Sequence, residues 1–325
     1  MNIKPPRFLR KFLLGALLSL TAASAHAAFP DRPVTMLIGF APGGGADTIG
    51  RIIAEKMSTI LGQTIVVQNK PGANSIIAVQ ELLRAKPDGY TILLNAASLS
   101  IASAVYKKLS FNADKDLAQI SLLATYPYLL TVPTSLPPKT FKEFLAYAKA
   151  HEDEMNYGSS GIGSAPHMGM ELLDSATGLK MNHIPYKGSS PANVDLAAGR
   201  VSAMLTNYLG AAAMIQSHKF RILAVTSTER SDNLPDVPTM AELGYPDVEV
   251  LGWYGLDAPA GTPADIVETL SKAAAKAVSD PDIVKQLHNQ GVVTVGSTPA
   301  EYHAFFDKDL ARWKKVARDS NISLD

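Results

Sequence analysis

The 325-residue sequence contains no cysteine. That absence excludes disulfides, thiolate metal sites, a cysteine nucleophile and a lipid-bearing N-terminal cysteine. No apolar run approaches the roughly 20 residues a membrane-spanning helix needs. No basic cluster of the kind that tracks a phosphate backbone occurs, and 30 Lys and Arg balance 30 Asp and Glu, so nucleic acid is not an expected partner. Tandem repeats, low-complexity tracts and long polar linkers are also missing, which points to closely packed units joined by short crossovers.

No acid precedes Asp31, yet Lys4, Arg7, Arg10 and Lys11 crowd the beginning of the chain. They lead into the uncharged apolar stretch 12–20 and then into small residues, with Ala25 and Ala27 in an A-x-A arrangement. This is the pattern of a cleavable secretory signal peptide over residues 1–27, making Ala28 the first mature residue. Arg10-Lys11 lacks the arginine pair of a twin-arginine signal. Without a lipid anchor or a second apolar span, the exported protein is expected to be soluble, and a bacterial periplasm fits best.

The mature chain alternates short apolar runs with helical patterns. Strands are expected at 34–40, 64–68 and 90–95, with helices at 47–61 and 76–83; Ile49, Ile52, Ile53, Met57 and Ile60 mark one face of the first helix. A second set follows, with strands at 128–132, 155–157, 201–206 and 221–226 and helices at 141–150, 165–177 and 191–198. Such alternation predicts an α/β fold of βαβ units with a mostly parallel sheet. The C-terminal part reads as helical, with Pro263, Pro281 and Pro299 opening helices where a missing N–H costs nothing. Crossovers near 125–128 and 248–256 would join the two sets and leave a ligand cleft between them.

Two loops carry the chemistry. Pro42-Gly43-Gly44-Gly45-Ala46-Asp47 lies between the first strand and first helix, where glycines admit a ligand to the backbone and the helix N-terminus favours an anion. Asp47 is placed as the N-cap. Thr48 stands where a dinucleotide fingerprint needs glycine, and Arg51-Ile52 stand where a Walker loop needs Lys and Ser or Thr, so the expected anion is smaller than a nucleotide. Residues 157–164, Tyr-Gly-Ser-Ser-Gly-Ile-Gly-Ser, form a second cradle ahead of the helix carrying His167. Ile162 breaks the Gly-x-Ser-x-Gly elbow of hydrolases. His167 and Glu171 lie four apart, but no His-Glu-x-x-His pattern accompanies them, and no metal or cofactor is expected.

Taken with 68–74, 86–91, 185–188, 234–244 and 258–263, these loops resemble the signatures of the Bug (TctC-type) solute receptors of tripartite tricarboxylate transporters, in family order along nearly all the mature chain. The resemblance implies a two-lobed, periplasmic-binding-protein-like (type II) α/β fold, with 28–127 plus 250–325 as lobe 1 and 128–249 as lobe 2. It implies capture of a small organic carboxylate, without chemistry, for delivery to a membrane permease, by a protein expected to be monomeric. Carried over to this chain, the ligand-binding residues are Gly43, Gly44, Gly45 and Asp47 with Ser159, Ser160, Gly161, Ser164 and His167. Asn95, Ser98, Thr206 and Asn207 are expected to face the cleft as well. Many relatives carry Asp where Asn207 stands.

Two other readings use the same residues: an exported α/β hydrolase pairing Ser159 or Ser160 with His167 or His183, and a periplasmic carboxylate sensor subunit. Trp253 and Tyr254 are expected either to line the cleft or to brace the hinge.

Overall fold

The computed structural model describes residues 29–319 and Leu324. The signal peptide read from residues 1–27 and its junction at Ala28 lie outside the described residues. Two sheets organise the rest. The first has six strands in the order β11 (Val293–Thr294), β4 (Leu117–Pro127), β10 (Leu251–Pro259), β3 (Thr91–Ala96), β1 (Val34–Ile38) and β2 (Ile65–Asn69), and the second has five in the order β7 (Asn182–Pro185), β6 (Asn156–Ser159), β8 (Ala203–Thr206), β5 (Leu129–Pro133) and β9 (Phe220–Val225).

In the first sheet, β1 (Val34–Ile38), β2 (Ile65–Asn69) and β3 (Thr91–Ala96) are parallel, as βαβ connections require. Helix α1 (Gly45–Leu61) joins β1 to β2 and buries Ile49, Ile53 and Met57, its apolar face; it stops at Gly62, in the left-handed region at φ 69°. Helix α2 (Ile76–Arg84) precedes β3 and α3 (Ser98–Val105) follows it, with the single turn α4 (Ala113–Asp116) leading into β4 (Leu117–Pro127). The second sheet comprises β5 (Leu129–Pro133), β6 (Asn156–Ser159), β7 (Asn182–Pro185), β8 (Ala203–Thr206) and β9 (Phe220–Val225). Its helices are α5 (Phe141–Ala150), α6 (Ala165–Thr177), α7 (Ser189–Ala197) and α8 (Tyr208–Gln216).

The chain then returns to the first sheet through β10 (Leu251–Pro259) and closes with α9 (Ala264–Val278), α10 (Pro281–His288), β11 (Val293–Thr294) and α11 (Pro299–Asp319). The expected mostly parallel sheet is not what forms. β10 runs antiparallel to both β3 and β4, β11 is antiparallel to β4, and β5 is antiparallel to β8 and β9. The cause is topological: β4 leaves the first sheet and β10 re-enters beside it, so these two crossing strands pair head to tail. The segment expected as a crossover at 248–256 is therefore largely a central strand.

Thr226 ties the crossings together. Its Oγ accepts from Tyr128 N–H at 2.9 Å and donates to Val250 carbonyl oxygen at 2.6 Å, so both passages between the sheets, 127–129 and 226–250, meet at one buried hydroxyl. Tyr302, Phe306 and Trp313 of α11 are buried against the first sheet, while Phe305, Leu310 and Val316 are half-buried. Trp253 makes edge contacts with Tyr302, Phe305 and Phe306 and donates to Asp309 at 2.8 Å. It braces the core.

Candidate ligand-binding site

The glycine loop owes its shape to Asp47. Gly44, not Asp47, is the N-cap of α1, because Gly44 has extended backbone (φ −85°, ψ 173°) while Asp47 already sits in the first helical turn. The Asp47 carboxylate reaches back to accept from Gly43 N–H at 2.9 Å, and it also accepts from Arg51 and Asn69. Burial pushes its acidity down in strength, but these three donors outweigh burial and hold the group below the usual carboxylate value. Asp47 thus positions the loop and does not line the cavity.

The cavity between the sheets has a volume of about 40 Å³, room for a few waters or one carboxylate head. Five helices direct their N-termini into its wall: α1 through Gly44 and Ala46, α3 through Ser98, α6 through Ser164 and Ala165, α7 through Ser189, and α8 through Asn207. No described side chain in the wall is charged. Each helix start contributes free N–H groups and a partial positive charge, which together suit an anion without a buried counter-ion.

Part of the wall is phenolic. Tyr126, Tyr128 and Tyr254 line the cavity; Tyr126 stacks on Tyr254 with ring centroids 4.9 Å apart, and the hydroxyls of Tyr126 and Tyr128 are 3.2 Å apart. Burial raises all three hydroxyls above their ordinary value, so they stay neutral. Of the aromatic pair at 253 and 254, one side chain braces and the other lines the cleft.

The lobes touch around this cavity. Ala41 N–H donates to Lys187 carbonyl oxygen at 3.2 Å. Gly45 and Gly210 meet so closely that a Cβ on Gly210 would lie 2.6 Å from the Gly45 nitrogen. This is a closed cleft.

Among the residues expected from sequence, Gly44, Ser98, Ser160, Ser164 and Asn207 line the cavity. The others stand behind it. Asn95 is fully buried and donates to Asp257 at 3.0 Å, which turns it into the core. Thr206 is buried beside Thr131, and Gly43, Gly45 and Gly161 shape the loops without forming the wall. Ser159 Oγ and His183 Nε2 are 2.6 Å apart, and Gly163 N–H donates to His167 Nδ1 at 3.1 Å. The two imidazoles stack at 4.0 Å, with Tyr157 against His183 at 4.9 Å. Burial lowers both imidazoles to about 4, so they remain neutral and serve as anchors for loop 159–164. Ser159 is fully buried and is not among the residues lining the cavity.

Sequence reasoning missed Phe40, Tyr126, Tyr128, Ser189 and Leu205. Ser189 had a signal, since it follows Tyr186-Lys187-Gly188 at the start of a helix. The tyrosines had none, because only the pairing of β4 with β10 brings Tyr126 and Tyr254 together.

A closed cleft between two α/β lobes, walled by helix N-termini and free of charged side chains, defines a solute-binding protein of the periplasmic type. The chain belongs to the tripartite tricarboxylate transporter family receptors (TctC), whose pattern matches residues 49–322. Among solved structures, periplasmic binding protein BugD is 34% identical, covering 91% of this chain and 99% of its own, with a TM-score of 0.88. Rpa4515 of R. palustris, solved with adipate, is 32% identical over 91% of this chain and 99% of its own, with a TM-score of 0.88. MatC of Rhodopseudomonas palustris, solved with bound malate, is 32% identical over 89% of this chain and 99% of its own, with a TM-score of 0.85. The protein is a solute receptor and not an enzyme, which sets aside the hydrolase reading. No helix among the described residues is long and apolar enough to cross a membrane.

Proposed function

We infer that this receptor captures a small organic carboxylate in the periplasm and delivers it to the permease of a tripartite tricarboxylate-type transporter. The observation that carries the reading is the convergence of five helix N-termini on one cavity with no charged side chain. Such a cradle binds a carboxylate by charge-assisted hydrogen bonds yet permits release, because no buried cation holds the ligand. The adipate and malate bound to two relatives support the same ligand class. In this reading residues 1–27 direct export, 28–127 with 250–325 form one lobe and 128–249 the other, and the mature protein diffuses as a monomer to its membrane partner. Closure of the lobes over the ligand is the signal the permease reads.

A thermal-shift screen of the mature protein tests the ligand class. Carboxylates that bind should raise the melting temperature in a concentration-dependent way, by about 2.7 kcal/mol of stabilisation at a hundredfold excess over Kd. Shifts from a neutral sugar or a metal ion, with none from any carboxylate, would refute the reading.

Asn207 is the proposed charge filter of the pocket. Its Oδ1 caps α8 by accepting from Gly210 N–H at 2.6 Å, a role that an aspartate oxygen fills equally well. Asn207→Asp should therefore fold normally while placing an anion in the wall. Dicarboxylate affinity should fall by roughly tenfold or more, since like charges this close repel strongly away from bulk water. Unchanged dicarboxylate affinity in calorimetry would remove Asn207 from this role.

A further inference from the structure

The turn 160–164 brings Ser160 and Ser164 to the cavity wall. Between the two serines, Gly161 and Gly163 take φ 140° and 75°, a backbone that favours glycine, and the Ile162 side chain is exposed. The turn's own lobe anchors its two ends, through Ser159 on His183 and through Gly163 N–H on His167. Its outer face meets the other lobe instead. Glycine-rich backbone loses more freedom on ordering than other backbone, so whatever fixes that face also fixes the two serines.

Side chains of the first lobe surround the face. Tyr106, the C-cap of α3, donates from its hydroxyl to the Ile162 carbonyl oxygen at 3.4 Å. A Cβ on Gly163 would lie 3.0 Å from Tyr106 Cε2, 3.3 Å from Leu324 Cδ1 and 3.7 Å from Asn74 Nδ2, so the first lobe fills the space that a side chain would need. Leu324 is itself fixed to that lobe. Its N–H donates to Val105 carbonyl oxygen at 2.9 Å and its carbonyl oxygen accepts from Lys107 N–H at 3.1 Å, a parallel bridge to Tyr106. Tyr106 and Leu324 therefore stand together at the end of α3, whose start carries Ser98 of the wall. Neither is among the residues lining the cavity.

Contacts made only when two lobes meet stabilise the closed form relative to the open one. The approach of Gly45 to Gly210 limits how far the lobes can close; the seat of Tyr106 and Leu324 on Gly163 adds apolar contact that favours closing. We propose that Tyr106 and Leu324 form a clamp on the turn 160–164, positioning Ser160 and Ser164 for the ligand without touching it. The proposal rests on the receptor reading above, in which the lobes close over a ligand, and adds the residues that set the closed population.

Because the chain has no cysteine, two spin labels can be placed selectively, at Glu55→Cys on α1 and Lys149→Cys on α5, both exposed and one in each lobe. Double electron–electron resonance then reads the separation of the lobes without ligand and with malate or adipate added, alongside melting temperatures and calorimetry. In this labelled background Tyr106→Ala and Leu324→Ala should each lower the ratio of short to long distances about fivefold or more, and weaken the Kd of an acid that binds by a similar factor. The ligand-free melting temperature should stay within about 2 °C, since each lobe keeps its own core. Tyr106→Phe, which keeps the ring on Gly163, and Leu324→Met should remain within about twofold of the wild type. Coincident distance distributions for the wild type, Tyr106→Ala and Leu324→Ala would overturn the clamp, as would a loss confined to variants that melt lower. Distributions that differ among the proteins but respond to neither malate nor adipate would support the clamp and count against the carboxylate reading.

Discussion

Gly210→Ala should bind carboxylate at least about 100-fold more weakly than the wild type, a loss of roughly 3 kcal/mol, while melting at the same temperature or slightly higher. The added Cβ would lie 2.6 Å from the backbone nitrogen of Gly45 and 3.3 Å from the Gly44 carbonyl carbon, on the far side of the cleft. Backbone cannot turn aside as a side-chain tip can, so the lobes must stay apart. Within its own lobe the change is mild. Gly210 occupies α8, where alanine is favoured over glycine by up to about 1 kcal/mol, and Asn207 Oδ1, at 3.0 Å from the new Cβ, needs only a small shift. Binding lost together with a lowered melting temperature would point to a damaged lobe; wild-type affinity would mean that this contact is not part of closure. Small-angle scattering of the ligand-free variant offers an independent check, since a cleft propped open enlarges the radius of gyration.

The same contact shows what the sequence makes legible. The loops at 42–47 and 157–164 stand out because each places several glycines or serines between an apolar run and a helical pattern, where close approach to a ligand is a direct physical reading. Their function as cradles follows locally. The closure contact does not, because Gly210 carries no local signal beyond a modest break in an apolar helix, and its meaning depends on Gly45 of the opposite lobe. β10 is hidden for a related reason: Leu251-Gly252-Trp253-Tyr254-Gly255 lies between two strands, buried on both faces, so alternation is absent. Its glycines make room for rings, since a Cβ at Gly252 would meet Tyr126 and one at Gly255 would meet Tyr302, both within 2.3 Å. Asp47 belongs to the cradle loop, but its role differs from the one its position suggests. An aspartate near a helix start reads as an N-cap, and only backbone angles show that Gly44 holds that position while Asp47 works from the first turn.

Asp257→Asn should stabilise the protein at pH 8 by about 2–4 kcal/mol and hardly at all at pH 4. Asp257 is fully buried in β10, where it accepts from Asn95 at 3.0 Å and from Tyr302 at 3.5 Å, and its Oδ1 has no partner. Burial raises the carboxyl from 3.8 to about 7, against the lowering effect of those two donors. A raised acid binds more protons folded than unfolded, so its contribution to stability is present below 3.8 and is lost as pH climbs to about 7. Asp174, raised by burial to about 6, acts in the same direction. His167 and His183 oppose them: lowered from 6.5 to about 4, they remain neutral in the fold, and their contribution is gained as pH rises across that interval. Wild-type stability should thus vary little between about pH 4 and 6.5, because carboxyls and imidazoles offset one another. Asparagine keeps the acceptor for Asn95 and never ionises, which removes one side of that balance. The variant should gain stability with rising pH where the wild type does not, reaching a melting temperature about 5–10 °C above the wild type at pH 8. An equal gain at both pH values would mean that packing, not ionisation, separates the two proteins.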